Sequence, residues 1–345
     1  MTGFSTKRAW IAVAVLIVLA AAGAGAYLYR MHRPLAGPSA GSPPDIMSQL
    51  PPGAPVIAYI DVAALRKLQG SPLAAMLGLA GADPKEDRDY EQFVRDTGFD
   101  YTRDLDKVGI AIWPTSLLTP NGGLGENQVM TVADGRFDPE KIKAYALRTG
   151  KLVTRGTQSF YAIPGNPPMS FELLSASRIA LTSGENMNIL APVSNAASNA
   201  AMQARIHRVA GAPIFAVART DTLPKNFYDN FRNAPQLETL ARSVKGLTLA
   251  GQPQGDRIDL ALDAECDSFT HAAAIATLLD TFRMFGTVAL SDPRTRRQMT
   301  KGQAAFLAAL ASKVKVTHQD RWVRLTLAVT PEMLGSPSSP HAELR

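Results

Sequence analysis

The sequence predicts an α+β protein, with an N-terminal transmembrane helix followed by two similar halves of antiparallel sheet packed with helices. Three observations predict it. Apolar and polar residues alternate in short runs such as Arg257–Leu262 and Trp322–Val329, the period of strands with one buried face. Helical stretches fall between groups of such runs and not between single runs, which argues against a doubly wound parallel sheet. The strand, turn and helix read from Pro55 to Arg66 recur in shape from Pro213 to Leu223.

The first element is apolar. From Trp10 to Tyr29 there are twenty residues without a charge, enough for a helix of roughly 30 Å, the thickness of a hydrocarbon core. Trp10 opens the run, and Tyr27 and Tyr29 close it, as interfacial rings do. Lys7 and Arg8 precede it, while Arg30, His32 and Arg33 follow it. A short basic lead before an apolar run is how exported chains begin, which puts residues 1–9 in the cytoplasm, residues 10–29 in the membrane and the remainder on the extracytoplasmic, periplasmic side. The competing reading is a cleaved signal peptide, since Ala22-Gly-Ala24 and Ala24-Gly-Ala26 both satisfy a small-x-small pattern.

Residues 30–53 hold Pro34, Pro38, Pro43, Pro44, Pro51 and Pro52 among Gly and Ser, the composition of an extended tether. Residues 54–205 form the first half and residues 206–334 the second; residues 335–345 are a Pro- and Ser-rich tail. In the first half the expected strands are Val108–Trp113, Gln128–Asp134, Ser159–Ile163, Ser170–Leu174 and Arg178–Thr182. A helix sits among them, with Asp138 as N-cap, Pro139 at its first position and Gly150 as its stop. The second half offers Gly246–Ala250, Arg257–Leu262, Lys313–Thr317 and Trp322–Val329, with a helix from near Asp267 to Gly286. The largely apolar stretch from Phe269 to Phe285 is expected at the core.

Charge and cysteine content exclude several classes. The formal net charge is +6, but no acidic residue precedes Asp45; removing Lys7, Arg8, Arg30 and Arg33 from the 36 Lys and Arg leaves 32 against 30 Asp and Glu. The basicity belongs to the membrane flanks, so a nucleic-acid partner is not expected. The single cysteine, Cys266, excludes an intramolecular disulfide and a multi-thiolate metal site, and its strand-like setting predicts a buried bystander.

Motifs for chemistry are sparse. Asn121-Gly-Gly-Leu-Gly-Glu-Asn127 lacks both phosphate-binding spacings and precedes a strand, so it reads as a hairpin loop; Ala162–Pro168 reads as a turn. None of His32, His207, His271, His318 and His341 falls in a metal-ligand pattern, and neither a metal nor a cofactor is expected. Asp267 and His271 are spaced to share a helix face, and His318 lies near Asp320. The G-x-S-x-G match at Gly37–Gly41 falls in the tether, and the S-x-x-K match at Ser312–Lys315 runs from helix to strand, the wrong way round for a nucleophile. Arg294, Arg296, Arg297 and Lys301 make the densest basic cluster of the exported part, a candidate contact for an anionic lipid surface or an acidic partner.

The runs Leu50-Pro-Pro-Gly-Ala-Pro-Val-Ile-Ala-Tyr-Ile-Asp-Val-Ala-Ala-Leu-Arg66 and Phe137-Asp-Pro-Glu-Lys-Ile142 resemble stretches of uncharacterised bacterial envelope proteins. That resemblance covers most of residues 50–330 and implies an N-terminal anchor with an exported α+β domain of unknown function. It brings no catalytic residues. The expected function is therefore a non-enzymatic binding or envelope-assembly module, holding an envelope protein or ligand in the groove between its halves. The alternative is an exported hydrolase with a dispersed site around His207 or His271.

Overall fold

The computed structural model describes residues 42–51, 53–67, 88–113, 128–155, 158–165, 168–183, 200–221, 235–255, 257–291 and 312–330. It is an α+β structure built on one large antiparallel sheet with several helices. The strands are β1 (Val56–Asp61), β2 (Leu105–Trp113), β3 (Gln128–Gly135), β4 (Lys151–Arg155), β5 (Gln158–Ile163) and β6 (Met169–Ser175). They continue with β7 (Arg178–Ser183), β8 (Ile214–Arg219), β9 (Val244–Gln254), β10 (Arg257–Cys266), β11 (Lys315–Gln319) and β12 (Trp322–Val329). The helices are α1 (Val62–Arg66), α2 (Arg88–Thr97), α3 (Tyr101–Asp104), α4 (Pro139–Thr149), α5 (Ala200–Val209), α6 (Pro235–Ser243) and α7 (Phe269–Ser291), preceded by a 3-10 turn at Asp45–Gln49.

All twelve strands among the described residues join one sheet in the order β11-β12-β10-β9-β8-β1-β2-β3-β7-β6-β5-β4. Near its middle lies the antiparallel pair β1–β8, where Tyr59 lies directly opposite Phe215. Their rings stack with centroids 5.1 Å apart, a contact worth about 0.5–1.5 kcal/mol beyond the area it buries. The groove expected between the halves is thus replaced along this line by a hydrogen-bonded ladder.

Strand alternation gives the sheet two different faces. On one, Ile57, Tyr59, Val132, Phe215 and Val217 form a core with Ile46 and Met47 of the 3-10 turn and with Met202, Ile206 and Val209 of α5. On the other, α4 packs Ile142 and Ala146 against Ala133, Phe171 and Ile179. That face also carries α7, whose Ala272 and Ala276 meet Ala264, Cys266 and Val323. Register puts Ala264 beside Leu247, on the side of β9 away from Ala250, so α4 and α7 share a face.

Local signals explain the helix ends. Asp61 accepts from the Ala64 N–H at 2.7 Å and starts α1. Asp138 accepts from the Lys141 N–H at 3.1 Å, with Pro139 next and Gly150 at the end of α4, as the sequence predicts.

Two expectations change, and one lies outside the described residues. The end of the predicted tether is packed: Ile46 and Leu50 are buried in the core, because the apolar Ile46, Met47 and Leu50 fall on one side of a tight turn. The transmembrane helix at residues 10–29 and most of the tether lie outside the described residues, and among those described no helix is long and apolar enough to cross a membrane. Helix α7 is not a fully buried core helix. It runs five residues past Gly286, and among its described side chains Ala272, Ile275, Ala276 and Leu279 meet the sheet while Phe269, Phe282 and Met284 are exposed at 61%, 55% and 65%.

Candidate functional site

The four basic residues singled out from the sequence, Arg294, Arg296, Arg297 and Lys301, lie outside the described residues, as do the glycine-rich loop at 121–127 and the serine match at 37–41. The turn expected over 162–168 is the β5–β6 connection, with Ile163 opposite Met169.

Three of the five histidines, His207, His271 and His318, fall among the described residues. His207 is exposed on α5. His318 faces the α7 side, its ring 5.7 Å from that of Phe269. His271 and Asp267 do meet, Nδ1 to Oδ1 at 2.6 Å. The hydroxyl beside them, Ser268 Oγ, accepts from the His271 backbone N–H at 3.2 Å and so caps the first turn of α7. The imidazole holds the Asp267 carboxyl below its ordinary range. Both side chains stand on the surface at 38% exposure, in the geometry of a capped helix end.

A richer constellation lies where α5 crosses the sheet. The inward stripe of α5 is Met202, Arg205, Ile206 and Val209, so a guanidinium occupies an apolar position. Arg205 reaches Glu265 of β10, with Nε 2.8 Å and Nη2 2.7 Å from Oε2. Arg321, in the β11–β12 turn, holds the other oxygen, with Nη2 2.9 Å from Oε1. One residue pair along β10, Arg324 grips Asp263 with Nε 2.6 Å from Oδ1 and Nη2 2.7 Å from Oδ2. Arg208, one turn of α5 beyond Arg205, places Nε 3.2 Å from Asp263 Oδ2 and Cζ 4.1 Å from the centroid of the Trp322 ring.

Burial sets the energetics. Asp263 and Glu265 are buried, and a buried carboxylate persists only when its lone pairs are matched by donors. Hydrogen bonding to Asp263 outweighs the burial of Arg324 and raises the affinity of that guanidinium for its proton. Gly246 of β9 makes room for the arrangement: a Cβ there would lie 2.3 Å from both Cζ and Nε of Arg205. Nearby, Arg219 is bidentate to Asp221, 3.1 and 3.0 Å, a self-neutral pair.

The sequence carried a signal for this cluster that periodicity alone does not decode. Asp259, Ala261, Asp263 and Glu265 alternate with the apolar Leu260, Leu262 and Ala264, so one side of β10 is acidic. Arg205, four residues before Val209 and one before Ile206, is the complementary anomaly on α5.

Two further features lie away from this cluster. Arg178 binds Asp134 at 2.5 and 2.7 Å and Asp45 at 2.8 Å, tying the 3-10 turn to β3 and β7. An open cleft of about 390 Å³ lies at the end of α4, lined by Gly150, Lys151, Ala162, Ile163, Pro164 and Ser170 among others. Among the described residues no group of three His, Cys, Asp or Glu is placed to hold a metal ion.

No protein-family model matches the chain, and no curated protein matches it in sequence. Solved structures of TP0453 are similar to it. Crystal form III matches with a TM-score of 0.42 and 10% identity over 85% of this chain and 97% of that one. Crystal form I matches with a TM-score of 0.41 and 10% identity, covering 86% and 96%.

Proposed function

We propose that the chain is a single-pass, membrane-anchored extracytoplasmic protein whose sheet domain is a binding or envelope-assembly module. The observation that carries this reading is the uncharged run from Trp10 to Tyr29 with its basic flanks and Pro-rich continuation. The module is a duplication in this reading. Outward from β1–β8 the order is β2-β3-β7-β6 on one side and β9-β10-β12-β11 on the other, with β5 and β4 added to the first half. The helix after β3 and the helix after β10 lie on the same face, as a two-fold axis perpendicular to the sheet requires. The basic run Arg294, Arg296, Arg297 and Lys301 follows α7 closely and is assigned to contact with an anionic membrane surface; replacing all four by Gln should weaken binding to anionic liposomes, and unchanged binding contradicts that assignment.

Alkaline carbonate extraction of cell membranes, followed by mass spectrometry of the N-terminus, tests the anchor. The full-length protein should remain in the membrane pellet with residues 10–29 retained. A soluble protein beginning after Ala24 or Ala26 would mean that the segment is a cleaved signal.

A further inference from the structure

We propose that the surface formed by Arg208, Arg321, Trp322 and Arg324 binds a phosphate group. The reading stands apart from the anchor and rests on how the guanidiniums divide between two carboxylates. Arg205, 6% exposed, supplies Glu265 with a buried partner, and Arg324 supplies Asp263 with a two-pronged one. Those two give each carboxylate a closely held guanidinium, Arg205 from α5 and Arg324 from the neighbouring strand β12. Arg208 and Arg321 are a second guanidinium on each carboxylate, and each makes one contact with it, at 3.2 and 2.9 Å. They are also the more open of the four, at 37% and 58% exposure against 6% and 23% for Arg205 and Arg324.

Four guanidiniums against two carboxylates leave two positive charges in a partly desolvated place, an arrangement that attracts an anion. Asp263 and Glu265 are two residues apart on one side of β10, so the residues that anchor the two outer guanidiniums are about 7 Å apart along the strand. Two forks so spaced suit the oxygens of one tetrahedral phosphate between them, the geometry in which Arg outperforms Lys. The Trp322 ring holds the Arg208 guanidinium at 4.1 Å and so limits its freedom before a ligand arrives. The same face of β11 and β12 presents Lys315, Thr317 and Gln319 and no carboxylate; Asp320 sits in the turn between the strands. Thr317 and Gln319 are exposed beside Arg324 and Trp322 and offer neutral donors at the rim.

Titration calorimetry of the full-length protein in a sugar-headgroup detergent tests the site, with inorganic phosphate and dihexanoyl phosphatidylglycerol as probes and chloride at matched ionic strength as the reference. Saturable binding of either probe is expected, weakened about ten-fold or more in R208Q/R321Q, since each lost charge-assisted bond is worth that much. The single variant R321Q alters an exposed turn residue and should weaken binding without perturbing the fold, whereas R95Q, at an exposed guanidinium on α2, should leave it unchanged. Tighter binding of the lipid analogue assigns the phosphate to a lipid headgroup, and tighter binding of inorganic phosphate assigns it to a free ligand. No saturable binding of either probe, or equal affinity in wild type and R321Q, overturns the proposal.

Discussion

The guanidinium of Arg205 occupies the space that a side chain on Gly246 would need, with an ideal Cβ only 2.3 Å from Cζ. Glycine at this point of β9 is therefore a requirement of the ion pair on β10 and not of backbone conformation. Gly246→Ala should destabilise the domain by about 2–4 kcal/mol, because Arg205 must leave Glu265 to make room. In an Arg205→Met background the same change should cost distinctly less. Urea denaturation of the four proteins of this cycle gives the coupling directly.

Glu265 and Arg321 belong to one pair but differ in burial, 11% against 58% of side-chain exposure. Glu265→Gln leaves Arg205 buried without its counter-charge and should cost about 3–5 kcal/mol. Arg321→Gln should cost no more than about 1 kcal/mol, the range of exposed ion pairs. Equal losses in thermal or chemical denaturation would contradict this division of roles.

Cys266 ends β10 in the core against α7, and burial pushes its thiol up to about 11, with Asp267 and Glu265 adding to the shift. At pH 8 the native protein should resist a thiol-specific reagent such as DTNB, while protein unfolded in urea should react stoichiometrically within minutes. Fast labelling of the native protein would show that α7 opens or that the thiol is not enclosed.

Asp104 titrates low. The Arg103 guanidinium, 2.6 Å from Oδ2, is the main cause, and with Arg136 and the Asp100 N–H it holds the carboxyl at about 2 despite burial. A carboxylate whose folded pKa lies below its unfolded value stabilises the fold above the unfolded value and loses that contribution as pH falls through the folded one. Wild-type stability should therefore fall between about pH 4 and pH 2 in part through Asp104. Asp104→Asn should be less stable at neutral pH and show a flatter acid limb in denaturant melts taken at successive pH values.

Much of the fold was legible. The cap at Asp138-Pro139 with Gly150 as stop, the alternating strands of β10 and β12 and the strands that follow Pro55 and Pro213 each rest on local chemistry that the folded chain keeps. Elements lacking such local signatures were missed. Helix α5 carries Arg205 on its inward stripe, which breaks the apolar period, and β4 exposes Leu152 at 50%, so its pattern does not point to a core. The packed turn at Asp45–Gln49 hid among prolines, its burial decided by long-range contact with β2 and β3 near Gly109, whose missing side chain leaves room for Leu50. The charge cluster was half visible, as an acidic side of β10, but its partners come from α5 on one side and from β12 and the turn before it on the other, some sixty residues away.

Protease accessibility of the sheet domain in spheroplasts tests the central claim most directly, because it reads the side of the membrane on which residues beyond the Trp10–Tyr29 run lie. With the inner membrane intact, added proteinase K should digest the domain and leave an N-terminal fragment protected. Digestion of the domain only after the inner membrane is lysed would place it in the cytoplasm and contradict the account.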